Sequence, residues 1–385
     1  MDDSKEKTEN KEKIEKAEKI EKTGKRAVPN KRKPIISVVL LAAALILSVA
    51  ARKAEGFAQW YSTHLYSLWV GSIGRILGVL PFSVSEIGIY GIVGMAIVTA
   101  VSAVIRGKQT GRTGAAILKW ASGIFLTASI LFLLYAVNCG INYRRISFSE
   151  KEGLVTEKFS VEELQEVCGW LTEEINVRTD LVDRDENGVM KLGNAAGEDA
   201  VRAMEGLAEQ YGSMKGFYPL PKELLVSEIL SYQNLTGIYL PFTVEANYNG
   251  DMTDYNIPFT MCHELSHLRG FMQEEEANFI AFLACEMSEK PEFQYSGYLM
   301  AWIYSTNALY RTDREMWSEV RGKLDVKVNA DLQANSAFWD SYDGAVAEVA
   351  DKVNDTYLKV NGQTDGVKSY DRMVDLLAAY YDNDR

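Results

Sequence analysis

Histidine is scarce in this chain. Three occur in 385 residues, so a metal site built from histidine alone is close to excluded, and a carboxylate has to complete any histidine pair. Cysteine is scarce too. Cys139, Cys168, Cys262 and Cys285 are too few and too scattered for a disulfide framework, and their spacing fits no zinc ribbon. Small buried apolar side chains are the plainer reading of all four, although Cys262 and Cys285 would meet if their helices pack together. Basic charge is missing from most of the chain. Residues 1–34 hold twelve of the 41 Lys and Arg against eight acidic residues, which leaves 29 basic against 45 acidic residues in the remainder. So acidic a body argues against nucleic acid as a partner. After residue 145 no apolar run is long enough to cross a bilayer.

Before residue 145 there are three such runs, at 35–51, 87–105 and 117–137. Each is long enough for a transmembrane helix. Lys31-Arg32-Lys33 ahead of the first could open a signal peptide, but the preceding region is too long and two further spans follow. Residues 1–34 repeat Lys and Glu, as in Glu15-Lys16-Ala17-Glu18-Lys19, and offer no apolar face; they read as a disordered, solvated tail. Residues 52–85 carry Trp60, Tyr61, Tyr66 and Trp69 before the break at Pro81-Phe82-Ser83, a composition suited to the membrane interface. His64 sits among them and reads as an interfacial side chain rather than a ligand. Three spans put the two ends of the 35–145 membrane segment on opposite sides. The basic tail and the loop with Arg106, Lys108 and Arg112 favour the cytoplasm, which sends the domain after 145 outside a cell membrane that the chain crosses three times.

Residues 146–385 read as one soluble domain. Ser160 with Glu163 has the spacing of a capping box ahead of a helix over 160–178. Residues 183–188 open like a calcium loop, but Asn194 stands where a bidentate Glu is needed, so a polar turn is predicted. Helical periodicity returns at 196–212, and 237–248 is the clearest strand, with Pro241 suiting an edge. Helices follow over 295–310, on to about 358, and over 369–381. The expected fold is mainly α: three N-terminal transmembrane helices, then a mostly helical α+β domain with a small edge-strand sheet.

The chemistry centres on His263-Glu264-Leu265-Ser266-His267, an HExxH motif. On a helix the two histidines fall on one face and can bind one metal ion. Glu264 is placed to act as base toward a metal-bound water. Gly270 can end that helix and allow a tight reversal into a second, which opens with Glu274-Glu275-Glu276 and continues through the small residues Ala277, Ala281 and Ala284. A hydrolytic zinc site takes three protein ligands and leaves a fourth position open. Glu274 is the first choice for the third ligand, with Glu276 and then Glu275 as alternatives. Asn278 lies one turn beyond Glu274 on the same face; this Glu-x-x-Ala-Asn arrangement resembles the second-helix motif of gluzincin metallopeptidases, which implies a role for Asn278 in orienting a histidine from outside the ligand set. Two histidines and a glutamate with an open position suit Zn²⁺ best. Tyr248, Tyr255, Tyr298, Tyr370 and Arg372 are chemically able to stabilise an oxyanion, and spacing alone favours none of them.

The chain resembles an uncharacterised bacterial family of membrane-anchored HExxH proteins grouped with the gluzincin metallopeptidases. The resemblance is carried by Pro81-Phe82-Ser83, Glu245-Ala246-Asn247-Tyr248-Asn249, the stretch from Pro258 to Phe271, Glu274-Glu275-Glu276-Ala277-Asn278-Phe279-Ile280-Ala281, Asn354-Asp355-Thr356-Tyr357-Leu358-Lys359 and Gly366-Val367-Lys368-Ser369-Tyr370. It implies a zincin-like domain, zinc at His263, His267 and a downstream Glu, and Glu264 as acid/base. The expectation is a zinc metallopeptidase acting on peptides or proteins. Two alternatives stand beside it: a zinc amidase acting on cell-wall material, and a non-catalytic metal-binding sensor or scaffold. Glu264 favours an enzyme, because a purely structural site has no use for that carboxylate.

Overall fold

The computed structural model describes residues 32–156, 159–367 and 372–384. They fall into two compact units, one holding residues up to 40 with 96–129, the other 41–95 with 130–385. Three helices are long and apolar enough to cross a membrane: α1 (Arg32–Lys53), α2 (Val84–Thr110) and α3 (Thr113–Tyr135). The third runs on to Arg144 through a π-helical turn at Ala136–Gly140 and a 3-10 turn at Asn142–Arg144. The helices outrun the apolar stretches that predict them, because the polar flanks continue the helix. Membrane association follows from the three spans.

The second unit carries every candidate site residue that is described. After α3, a short helix at Phe148–Glu152 leads to α4 (Val161–Arg178), α5 (Ala196–Gln210) and a small sheet. α4 starts on the predicted capping box: Glu163 N–H donates to Ser160 Oγ at 3.1 Å, and Ser160 N–H donates to the Glu163 carboxylate. The 183–194 segment is the polar turn that was predicted, with Asp185 Oδ1 accepting from Asn187 N and Val189 N.

The sheet has β1 (Lys222–Glu223), β2 (Gly237–Leu240) and β3 (Glu245–Tyr248) in the order β1-β3-β2. β1 runs parallel to β3 and β2 antiparallel, with Ile238 opposite Asn247 and Tyr239 opposite Ala246. The single strand predicted over 237–248 is therefore two strands. Pro241 sits in the turn between them, where its missing N–H costs no ladder bond. Val244 takes φ +58°, a conformation a β-branched residue rarely adopts, to bring the chain back.

Beyond the sheet come α6 (Asn256–Leu268), α7 (Glu274–Glu286), α8 (Pro291–Thr312), α9 (Arg314–Gly322), α10 (Val328–Asp340), α11 (Ala345–Asn361) and α12 (Met373–Asp384). α6 is the central helix, packed on β2, β3, α5, α7 and α8. Of its thirteen residues only His263 is not buried, and that one is partly exposed toward a cavity.

Residues 52–85 are not only an interfacial collar. They form helical turns at Phe57–Tyr61, Ser62–Tyr66, Ser67–Trp69, Val70–Gly74 and Arg75–Leu77. Trp60 and Trp69 are exposed, as the interface reading expects. Tyr61, Tyr66 and Val70 instead join the hydrophobic core of the second unit. Tyr66 Oη donates to Leu268 O at 2.9 Å, at the end of α6, and lies 2.9 Å from Tyr239 Oη.

Polar bolts within this unit tie the sheet to the first turn of α2. The buried Glu245 carboxylate accepts from Val84 N at 3.0 Å and Ser85 N at 2.8 Å, capping the helix, and pairs with the buried Lys222 Nζ at 2.6 Å. Glu86 in turn accepts from Leu225 N and Val226 N.

Candidate metal centre

The site is built by one reversal. At the end of α6, Gly270 takes φ +89°; its N–H donates to His267 O, and Phe271 N–H donates to Ser266 O. This Schellman arrangement satisfies the last carbonyls of α6. Arg145 braces it: Nη1 donates to Arg269 O at 2.9 Å, and the guanidinium lies 3.9 Å from the Phe271 ring centre. α7 then returns alongside α6. Ala277, Ala281 and Ala284 are fully buried and leave room for the close approach.

The reversal brings Glu274 Oε2 to 3.2 Å from His263 Nε2 and 3.6 Å from His267 Nε2. Among the described residues these three form the one group of His, Cys, Asp and Glu donors able to hold a metal ion, with all donor atoms within 4.8 Å of one another. Glu274 Oε2 nevertheless finds no hydrogen-bond partner of acceptable geometry among the described residues, and neither does His263 Nδ1. Ligands tetrahedral about zinc at 2.0–2.1 Å stand about 3.3–3.4 Å apart, close to both measured separations. His267 Nδ1–H donates to Phe271 O at 2.8 Å, which fixes the ring and leaves Nε2 facing Glu274. The donor set therefore fits a divalent ion of the zinc type.

The three neighbouring glutamates do three different jobs. Glu275 receives Gln363 Nε2 and pairs with Arg372 at 2.8 Å. Glu276 accepts from Ser149 N at 2.9 Å and Ser149 Oγ at 2.5 Å, holding the start of the Phe148–Glu152 helix. Glu274 alone faces the histidines. Asn278 is buried one turn later, close enough to His263 to favour its protonated ring, and its Nδ2 has no partner.

Glu264 is buried beside the histidines, and its Oε2 has no partner among the described residues. Burial pushes its carboxyl up to about 8, against the pull of His267. Burial also lowers His263, with help from the neighbouring His267. For His267 burial works the same way, but the Glu274 carboxylate more than offsets it and raises the ring to about 9. Glu274 is held well below the carboxylate range, its own burial outweighed by the two rings. These are the tendencies of the protein groups alone, and a bound cation would take the place of the proton on the rings.

Strand β2 forms the wall opposite. The Tyr239 backbone N–H approaches the Glu264 carboxylate. Gly237 lies so close that a Cβ there would stand 2.6 Å from Glu264 Oε1 and 2.9 Å from Asn247 O. A cavity of about 630 Å³ opens over the site, lined by β2, the two histidines, Glu264, Glu274 and Asn278.

The proposed oxyanion donors fare less well. Tyr248, Tyr255, Tyr298 and Arg372 do not line this cavity; Tyr298 Oη donates to Glu286 instead, and Arg372 serves Glu275. Tyr370 lies outside the described residues. Tyr143, Tyr357 and Asn354 do line it, and periodicity had not singled them out. The one signal for Asn354 and Tyr357 was their place in a stretch that carries the family resemblance. His64 is exposed, stacked on Trp60, and takes no part. Cys262 and Cys285 are free buried thiols that meet across α6 and α7.

No curated protein and no solved structure matches the chain. A family model does, over residues 61–378, from the segment before α2 through the metal-centre helices to α12. On that match the chain belongs to the family described as "Protein of unknown function (DUF3810)".

Proposed function

We propose that this protein is a membrane-anchored zinc metallopeptidase of the gluzincin type, with His263, His267 and Glu274 as ligands and Glu264 as general base. One observation carries the reading: three donors converge without hydrogen-bonding one another, and beside them a buried carboxylate oxygen lacks a partner on the wall of a substrate-sized cavity. Zinc held there would supply the Lewis acidity that acidifies water and polarises a carbonyl.

The chain's own residues do the rest. Glu264 Oε2 takes a proton from the attacking water and returns it to the leaving amine nitrogen. His267 is held in one tautomer by Phe271 O, and Asn278 flanks His263. β2 is an edge strand that faces the cavity, so an extended peptide can pair with its backbone as an added strand. The excess of basic residues in the tail and in the 106–112 loop favours an extracytoplasmic catalytic domain. A reporter fused after residue 385 that is active only outside the cytoplasm tests that placement.

Glu264→Gln is expected to keep zinc at wild-type stoichiometry and to lose at least about 100-fold in cleavage. Elemental analysis of the full-length protein in detergent gives the first quantity, and mass spectrometry of a digested peptide library the second. Undiminished activity in the variant would overturn the base assignment. Zinc without cleavage by the wild type would turn the reading toward a metal-binding sensor.

A further inference from the structure

Helix α11 has three faces. Ala347, Leu358 and Asn361 are buried against the protein. Glu348, Lys352, Asp355 and Lys359 make a charged stripe. Val346, Val349, Val353 and Val360 make a third stripe and are 56–66% exposed. At 100° per residue the valine stripe lies about 120° round the helix from the charged one. An apolar stripe about four turns long beside a charged one, left open to solvent, is the pattern of a helix lying in a membrane interface.

What covers that stripe follows from where α11 is tied. Asn361 Oδ1 accepts from Tyr135 Oη at 2.6 Å, and Tyr357 Oη lies 3.3 Å from Cys139 Sγ. Tyr135 and Cys139 belong to the last turns of the third apolar helix, so the C-terminal end of α11 rests on the end of a membrane span. The facing rim is tied in the same way. Leu225 and Val226 donate to Glu86 in the first turn of α2. Leu225, Ile229 and Tyr232 are exposed there, and Tyr232 meets Tyr342 edge-on at 5.0 Å. The site cavity is lined by residues 233–242, which follow the 225–232 segment, and by Ala350, Asp351, Val353, Asn354 and Tyr357 of α11.

Depth can be gauged along β2. Asn138, in the turn that ends the third span, donates to Pro241 O at 2.8 Å. Gly237, against Glu264, is four residues away, about 13 Å at strand rise.

We infer that α11 and residues 225–232 rest in the phospholipid headgroup layer, so that the cleft opens at the bilayer surface and its substrates are the juxtamembrane segments of polypeptides anchored in the same membrane. This rests on the peptidase reading for its chemistry, but the lipid contact does not. About 13 Å is the reach of four extended residues, which places the cut bond within a few residues of the bilayer.

Two experiments on the full-length protein in phospholipid nanodiscs separate the parts. In the first, a cysteine introduced at Val346 or Val349, and at Glu348 as control, carries a fluorophore; the four native cysteines are buried and stay unlabelled. Lipids brominated near the headgroup are expected to quench the label at 346 and 349 and spare the one at 348. Equal quenching at all three, or none, overturns the interfacial placement whatever the enzyme does. In the second, a co-reconstituted transmembrane peptide carries the same cleavable sequence twice, about 5 and about 25 residues from the bilayer. The near copy is expected to be cut at least about tenfold faster, and V346E/V349E to lose this preference while still cutting the soluble peptide. Equal cutting of both copies, or an unchanged preference in the variant, overturns the substrate assignment. Failure to cut any peptide while the quenching pattern holds would count against the peptidase reading and leave the lipid contact standing.

Discussion

Three adjacent carboxylates with three roles make a test that depends on the fold and not on the motif. Replacing each with glutamine keeps volume and removes charge. Glu274→Gln deletes a ligand. Loss of a partner outside the ligand set already costs 10–100-fold in metal affinity, so zinc binding should fall by more than about 100-fold. In zinc at a hundredfold excess over Kd the wild type gains about 2.7 kcal/mol, and this variant should gain almost none of it. Glu276→Gln leaves the ligands alone. It turns two charge-assisted bonds from Ser149, at 2.5 and 2.9 Å, into weaker neutral ones in a buried place. At roughly 1 kcal/mol lost per bond the cost is about 1–3 kcal/mol, a fall of roughly 2–10 °C in Tm. Zinc affinity should be unchanged. Glu275→Gln weakens contacts to Gln363 and to Arg372, whose side chain is 42% exposed, and should cost less than about 1 kcal/mol with zinc retained. Calorimetric zinc titration and thermal melts with and without zinc give every number. Loss of zinc in Glu276→Gln or Glu275→Gln, with zinc kept in Glu274→Gln, would refute the ligand set.

Gly237→Ala should act on rate without touching the ligands: the new Cβ forces the Glu264 carboxylate aside by about 1 Å, worth on the order of 100-fold in kcat, with zinc content unchanged. A variant with wild-type kcat would show that Glu264 does not need the position it holds against β2. Lys222→Met strips the ammonium from a pair whose side chains are 4% and 3% exposed, so it should cost about 3–5 kcal/mol and lower the Tm by roughly 10 °C. A Tm within 2 °C or so of wild type would mean that Glu245 is satisfied by its bonds to Val84 and Ser85 alone.

What the sequence revealed and what it hid divide along physical lines. Local signals were readable. Each span carries an apolar run long enough to cross a bilayer, Ser160 and Glu163 cap within one turn, and His263 and His267 share a face by helical period. The choice among Glu274, Glu275 and Glu276 was not local. It depends on Ser149, Gln363 and Arg372, which lie 88–127 residues away in the chain, and no periodicity brings them there. The split of 237–248 was hidden for another reason. Val244 is a strong strand former, and only tertiary demand holds it at positive φ. Tyr61 and Tyr66 were ambiguous by nature: an aromatic ring with a polar tip suits a membrane interface and a hydrogen-bonded core equally well, and Tyr66 went to the core.

The sequence changes from apolar spans to polar domain near residue 145, but the packing does not change there. The hydrophobic core that surrounds α6 takes in Tyr61, Tyr66 and Val70 from before α2, and Cys139 and Ile141 from the end of the third span. Tyr66 holds the last turn of α6, Arg145 braces its reversal, and Asn138 holds the end of the cavity-facing strand. Each is a hydrogen bond to a backbone carbonyl, which fixes position rather than merely filling space. Removing residues 35–145 would take away the Tyr66 donor to Leu268 O and the Asn138 donor to Pro241 O, and Tyr135, Cys139 and Tyr143 from the cavity wall. An anchor that served only to tether a separate domain would have no reason to line that domain's cavity. Here the ends of the spans line the candidate site, and on the peptidase reading the distance between the bilayer and the bond to be cut is set by the fold rather than by a linker.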